Sequence, residues 1–295
     1  MKRVVIFGCG FVGARAARLF AEGGWDVVGI TRSARSAERL AGEPYRVLAC
    51  DISDPAAMAG ATGLHVADAV ISAVSSGWGG GEDAYRQVYL RGVENVFGFL
   101  NPGRVLFVSS TSVYAQNDGS WVTEDSPAEP ASPTSRVLLE AENVALAHGG
   151  QVARLAGIYG PGRSVFLRKF LDGTATIEGD GERHINQIHA DDAAAALFRL
   201  VDGGLPAGIY NVADDQPVTQ LECYGWLAAA LGRPMPPGGP LDLQRKRGVT
   251  NKRVCNHKLR STGWNLRYPT FREALAPGGE LLAAAHADGS GDAPP

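Results

Sequence analysis

The chain has 295 residues, 45% of them hydrophobic, and a net charge of −3. That length buries a large core, enough for one domain carrying a smaller lobe, and the slight acidity leaves no basic field to draw nucleic acid or anionic lipid. Apolar runs are strand-length or alanine-rich, too short for a membrane span, and "MKRVVIFG" enters a strand at once without the apolar core of a signal peptide, so a cytoplasmic protein is expected.

In chain order, "RVVIFG" (3–8) reads as a buried strand and 11–23 as the helix after it. "WDVVGI" (25–30), "YRVLAC" (45–50), "DAVISAV" (68–74), "RVLFVSS" (104–110) and "QVARLAGIYG" (151–160) read as five more strands, with helices between most of them, notably over 82–100 and 134–148. This alternation predicts an α/β fold, a Rossmann-type doubly wound parallel sheet with helices on both faces. Beyond 160 glycine and charge increase. A helix is expected over 190–204, with Asp191 and Asp192 in its positive first turn, then a strand over 208–214 and a helix over 219–232 ending at Gly232. The predicted division is a Rossmann domain over 1–160, completed by 189–214, a smaller C-terminal substrate lobe from 161–188 and 215–278, and a flexible tail over 279–295.

"FGCGFVGARAARLF" carries G-x-G-x-x-G as Gly8, Gly10 and Gly13, leaving a predicted strand and entering a predicted helix. Gly8 permits the tight turn, Gly10 admits a pyrophosphate to the backbone, and Gly13 lets the helix pack close to the strand. Cys9, inside the loop, is expected as a small buried filler. An NAD binder places a carboxylate about 20 residues further on, at the end of the second strand. Here that strand ends "GITRSARS", with Thr31 and Arg32 at the place of the carboxylate, while Asp26 stands at the strand's other end. Arg32, supported by Ser33 and Arg35, suits a 2′-phosphate, so NADP is favoured over NAD. Asp51, after the third strand, can accept from an adenine amino group or cap the next turn. Phe11 and Val12 in the loop, Ile52 after Asp51, Ala73, Val74 and Ser75 after the fourth strand, Ser109 in the fifth, and Leu155 and Ala156 in the sixth complete the expected cofactor lining.

"VSSTSVYA" (108–115), "SPTSRVLLEAE" (132–142), "RLAGIYGPGR" (154–163) and "HADD" (189–192) follow the glycine loop in order, and "SGWNLRYPTFREAL" closes the series. Over roughly residues 1–275 the chain resembles the extended short-chain dehydrogenase/reductases, the NAD(P)-dependent epimerase/dehydratase family. The resemblance implies a catalytic Ser110, four residues before Tyr114. It also puts the family's catalytic tyrosine and lysine, Y-x-x-x-K, on Thr134 and Leu138, and the asparagine of its N-V-x-G-T helix on Tyr89 in "YLRGVEN". The chain therefore looks like the atypical branch that keeps the glycine loop and lacks Y-x-x-x-K. A threonine hydroxyl is too weak an acid to replace the tyrosine at neutral pH, and Leu138 brings no charge.

Replacement proton donors are Tyr114 and, in the loop "GDGERHIN", His184; Tyr85 and Tyr89 share one helix face, as core residues or with Tyr89 turned toward the vacated asparagine position. His189 heads a helix and is expected as a cap. Arg154, Arg163 and Arg183 are candidates to hold an anionic substrate or lie on the surface. No His/Cys/Asp/Glu grouping has metal-ligand spacing, and the four cysteines form no C-x-x-C pair, as free thiols of a reducing compartment would. The expected function is NADP-dependent oxidoreductase or epimerase/dehydratase chemistry by hydride transfer on a carbonyl or alcohol, with a nucleotide-sugar the substrate class the resemblance implies. The alternative is a non-catalytic NADP-binding regulator or scaffold. A homodimer through the helices near 82–100 and 134–148 is a further implication of the resemblance.

Overall fold

Val4 and Ile6 point to one side of the first strand, Val5 and Phe7 to the other, and all four are fully buried. A strand apolar on both faces must lie inside a sheet covered on both sides. The computed structural model of the chain describes residues 1–61, 64, 66–77, 80–242, 249–275 and 281, and in it this strand is central.

The first half comprises β1 (Arg3–Phe7), α1 (Gly13–Glu22), β2 (Asp26–Thr31), α2 (Ala34–Glu38), β3 (Arg46–Ala49), α3 (Pro55–Gly60), β4 (Ala69–Ser72), α4 (Glu82–Tyr85), a π-helical segment over Arg86–Arg91, α5 (Gly92–Phe99) and β5 (Arg104–Ser110). There follow β6 (Trp121–Val122), α6 (Pro133–Ala147), β7 (Gln151–Leu155), β8 (Gly157–Tyr159), α7 (Val165–Leu171), β9 (Ile177–Glu178), β10 (His184–Ile185), β11 (Gln187–His189) and α8 (Ala190–Asp202). The last part holds β12 (Gly208–Val212), β13 (Val218–Thr219), α9 (Gln220–Leu231), β14 (Gly238–Gly239), β15 (Arg253–Val254), α10 (His257–Arg260) and α11 (Phe271–Ala274).

Seven strands form one parallel sheet in the order β12-β7-β5-β4-β1-β2-β3. From β1 the chain winds outward to β3, then crosses back to β4 and winds the other way. The strand order thus reverses between β1 and β4, where a doubly wound sheet opens a crevice at its carboxyl edge. On one face Val5 and Phe7 join Met58 of α3 and Val96 of α5; on the other Val4 and Ile6 join Phe20 of α1 and Leu197 of α8. A further apolar cluster joins Tyr159, Leu167, Phe170, Ile185, Tyr224 and Phe271, residues of β8, α7, β10, α9 and α11. The predicted tail lies outside the described residues except Leu281, which is buried.

Two predicted elements differ. The strand expected over 151–160 breaks at Ala156: the Ala156 amide donates to Val212 and the Gly157 amide to Asn186, so the chain leaves the main sheet and β8 pairs with β11. The helix expected over 82–100 carries a π turn at its centre. Caps are placed as the sequence indicates: Ser132 accepts from the Ser135 amide with Pro133 in the first turn of α6, and Gly232 ends α9 at φ +61°.

Candidate functional site

A cleft of about 740 Å³ runs along the carboxyl edge of the sheet, lined by the ends of β1, β2, β3, β5 and β7, by the glycine loop and by Ala73–Ser75 after β4. Gly8 has φ +87°, and a Cβ there would run into the Ala73 carbonyl; a Cβ at Gly13 would strike the Gly8 carbonyl, so these two glycines are dictated by packing. Gly10 differs. A Cβ there would meet only the Gly8 carbonyl oxygen, at 3.9 Å, and Gly10 lines the cleft. The protein's own packing leaves this position open, as a cradle for a group lying on the loop requires. Cys9 packs where Gly29 leaves room for it, donates to the Ile6 carbonyl, and has its thiol pushed up by burial to about 12. It is an inert filler.

At the β2 end the cleft is lined by Thr31, Arg32, Ser33, Ser36 and Arg39. Ser33 caps α2, its hydroxyl lies 3.1 Å from that of Ser36, and Arg39 Nη2 donates to the same Ser36 hydroxyl at 3.0 Å. Asp26, at the opposite end of β2, is paired with Arg3 at 2.6 Å. Arg35 projects from α2 into solvent and does not line the cleft; Arg39, one helical turn further on, does. Asp51 lines it from the end of β3, with Oδ1 accepting from the amide and hydroxyl of Ser53, the turn-capping role foreseen as one of its two options. Phe11, Val12, Ile52, Val74, Ser109 and Ala156 line the cleft; Gly13 lies beneath it.

At the β5 end Ser110 lines the cleft, and its hydroxyl accepts from the Ser112 amide at 3.2 Å. Leu138 reaches the cleft from α6, and Thr134 does not. The hydroxyls at the head of α6 form a chain instead: Ser132 donates to Ser135 at 2.9 Å, and Ser135 to Ser112 at 3.0 Å. Tyr89, from the π segment, lines the cleft beside Val88.

The other sequence candidates stand elsewhere. Tyr114 is fully buried behind β5, donates its hydroxyl to Asn211 Oδ1 at 2.9 Å, lies under the Arg154 guanidinium, and is held protonated by burial. Arg154 is neither a surface charge nor a cleft residue. It is buried and paired with Glu142, which no sequence signal singled out: Nη2 donates at 2.6 Å and Nε at 3.1 Å to both carboxylate oxygens, while Ser109 donates to the same carboxylate at 2.5 Å. His184 sits in β10 with its backbone amide and Nδ1 on Asn251 Oδ1, away from the cleft; Arg183 beside it also does not line the cleft. His189 caps α8, its Nδ1 accepting from the Asp191 amide, and Asp192 accepts from the amides of Arg267 and Tyr268. Arg163 does line the cleft, 5.3 Å over the Phe11 ring. Below Tyr114 the buried Lys252 donates to the Tyr114 carbonyl at 2.9 Å and to Thr250 at 2.8 Å; burial, aided by the like charge of Arg183, pushes its ammonium down to about 8.

Ser36, Arg39, Val88, Leu138 and Gly157 were not anticipated as lining. For Arg39 the signal was present: it follows Arg32 and Arg35 in one short run of the sequence, flanking and within α2. Among the described residues no three His, Cys, Asp or Glu side chains gather as metal ligands, and no helix is long and apolar enough to cross a membrane.

The chain is similar over most of its length to Protein YeeZ of Escherichia coli K12, 31% identical over 281 residues that cover 91% of this chain and 97% of the relative. Among solved structures, a functionally unknown conserved protein from Silicibacter pomeroyi is 27% identical at a TM-score of 0.75, covering 95% of this chain and 100% of that one. DesIV, a dTDP-glucose 4,6-dehydratase from Streptomyces venezuelae solved with NAD and TYD bound, superposes at a TM-score of 0.81 over 97% of both chains; at 23% identity it speaks for the fold alone. The model of the NAD dependent epimerase/dehydratase family matches residues 4–213. With the glycine loop, the reversed strand order and this match together, the chain belongs to the NAD-dependent epimerase/dehydratase family.

Proposed function

We propose that the chain binds NADP in the cleft and passes hydride between nicotinamide and a carbonyl or alcohol carbon of a small-molecule substrate. The observation that carries this reading is the single continuous cleft, which joins an open Gly10 cradle to two arginines and two serines at one end and to Ser110 at the other. Bound there, the cofactor would supply or accept the hydride. The chain's own residues would do the rest. The loop and α1 would receive the pyrophosphate; Arg32 and Arg39, with Ser33 and Ser36, would hold the 2′-phosphate; Ser110 would orient the substrate oxygen. Membership of the epimerase/dehydratase family makes a nucleotide-sugar the expected substrate class, and Arg163, a cation of the cleft lining away from the Arg32 end, would meet its anionic part.

Fluorescence titration with NADPH and NADH tests the cofactor. NADPH is expected to bind more tightly, and Arg32→Ala to weaken NADPH roughly tenfold while leaving NADH nearly unchanged. Equal loss for both would refute the 2′-phosphate role. Incubation with NADPH and a panel of aldehydes, ketones and sugar nucleotides then tests hydride transfer. Leu138, an apolar group where a lysine would stand, favours the second reading, a non-catalytic NADP-binding regulator or scaffold. Tight binding without oxidation above background across the panel would select it.

A further inference from the structure

Hydride transfer to a carbonyl leaves charge on oxygen, and some group must supply a proton. Sequence candidates for that task stand outside the cleft: Tyr114 is turned to Asn211, and His184 to Asn251. Among the described residues lining the cleft there is no histidine, one carboxylate, Asp51, and one phenol, Tyr89. Asp51 follows β3, four places from β5 in the sheet, at the far end from Ser110. The thiols of Cys9 and Cys50 are raised by burial, and Cys50 also belongs to the β3 end.

Tyr89 is placed by an irregularity. The π segment Arg86–Arg91 inserts one residue into the helical register between α4 and α5, and such single π turns are frequent at functional sites. The segment packs against α6, the helix that carries Leu138 to the cleft. Downstream it is anchored: Gly92 lies so close to Ile52 that a Cβ would stand 3.1 Å from Cγ2, and Asn95 Nδ2 donates to the Ile52 carbonyl at 2.8 Å. Upstream, the Tyr85 ring backs that of Tyr89 at 4.9 Å between centroids. A buried ring backed by a second ring, on a helix anchored downstream, loses little freedom when its hydroxyl engages a ligand.

We propose that Tyr89 is the catalytic acid–base group, its phenol taking the place of the missing tyrosine on α6. The proposal rests on the cofactor reading above. In reduction, a C–H bond forms as hydride leaves the reduced nicotinamide for the carbonyl carbon, and the carbonyl π pair moves to oxygen. The Tyr89 O–H bond breaks as its proton passes to that oxygen, and solvent reprotonates the phenolate. Oxidation runs these transfers backward.

Tyrosine labelled with 13C at Cζ gives eight resonances in this chain, and Tyr89→Phe identifies the one from Tyr89 by its loss. Saturation with NADP+ is expected to move that resonance, and NADPH to move it differently, because the two nicotinamide forms differ in charge beside the phenol. Coenzyme binding, followed by fluorescence, that leaves the Tyr89 resonance in place overturns the proposal and spares the cofactor reading. Failure of both coenzymes to bind overturns both. In turnover with the carbonyl panel, Y89F should lower kcat roughly 10²–10⁴-fold with NADPH affinity within about twofold of wild type. Tyr85→Phe, which removes the hydroxyl behind it, should keep wild-type turnover. Y89F retaining more than about a third of wild-type turnover would sink the assignment, and so would a wild-type protein that binds NADPH and reduces nothing in the panel.

Discussion

Glu142 and Arg154 form the most deeply buried ion pair described, with side chains 0% and 2% exposed. Glu142→Gln keeps the shape and removes the charge. The guanidinium then stays out of water with no counter-charge, and the Ser109 hydroxyl loses an ionised acceptor. Removing one partner of such a pair costs about 3–5 kcal/mol, which in a chain of this size lowers Tm by roughly 6–20 °C. Replacing both, as E142L with R154M, removes the stranded charge and should lie within about 2 kcal/mol of wild type. Urea unfolding of wild type, E142L, R154M and the E142L/R154M double closes the cycle, with a coupling energy of at least about 2 kcal/mol expected. A single-variant loss under about 1 kcal/mol, or a double as damaged as the sum of the singles, would refute the reasoning.

Two other perturbations separate cofactor from fold. Gly10→Ala should leave Tm nearly unchanged and weaken NADPH binding tenfold or more, whereas Gly8→Ala, at φ +87° and against Ala73, should cost roughly 1–3 kcal/mol of stability; equal thermal loss in both would contradict the open cradle at Gly10. Lys252 gives a pH test. Its folded pKa, about 8, lies below the ordinary 10.5, so between those values the unfolded chain binds the extra proton and stability gains from this group as pH rises. Raised tyrosine and cysteine pKa values act in the opposite sense above pH 9, so the measurement is the wild-type minus Lys252→Met difference in unfolding free energy from pH 7.5 to 10.5. That difference should rise with pH, and a flat difference would show that the ammonium is not penalised by its burial.

The sheet and the glycine loop were legible because their signals are local. Runs such as "VVIF" and "AVIS" are apolar on both faces, and Gly8 and Gly13 sit where the backbone admits no Cβ. The break at Ala156 was not, because it is made by amides pairing with Val212 and Asn186, residues distant in sequence. Tyr114 and His184 looked available for chemistry because a sequence names a side chain and not its direction. The turn after Ser110 rotates Tyr114 behind β5, and Asn251, 67 residues on, claims the His184 ring. The Glu142–Arg154 pair joins α6 to β7, with no periodicity linking a helix residue to a strand residue. Nothing in "AYRQVYLRGVEN" betrays a π turn, since one inserted residue leaves the apolar spacing nearly helical.

The short ribbon of β6 and β15 sets an order of events during synthesis. Trp121 and Val122 pair in parallel with Arg253 and Val254, and Lys252 beside them is tied to the Tyr114 carbonyl. These partners leave the ribosome about 130 residues apart, roughly 7–26 s at ~5–20 residues per second. Throughout that interval the glycine loop and the strands from β1 to β5 are already translated, while the segment behind Ser110 waits for its mate. A nascent chain would thus carry its glycine loop complete before the ribbon behind Ser110 could close.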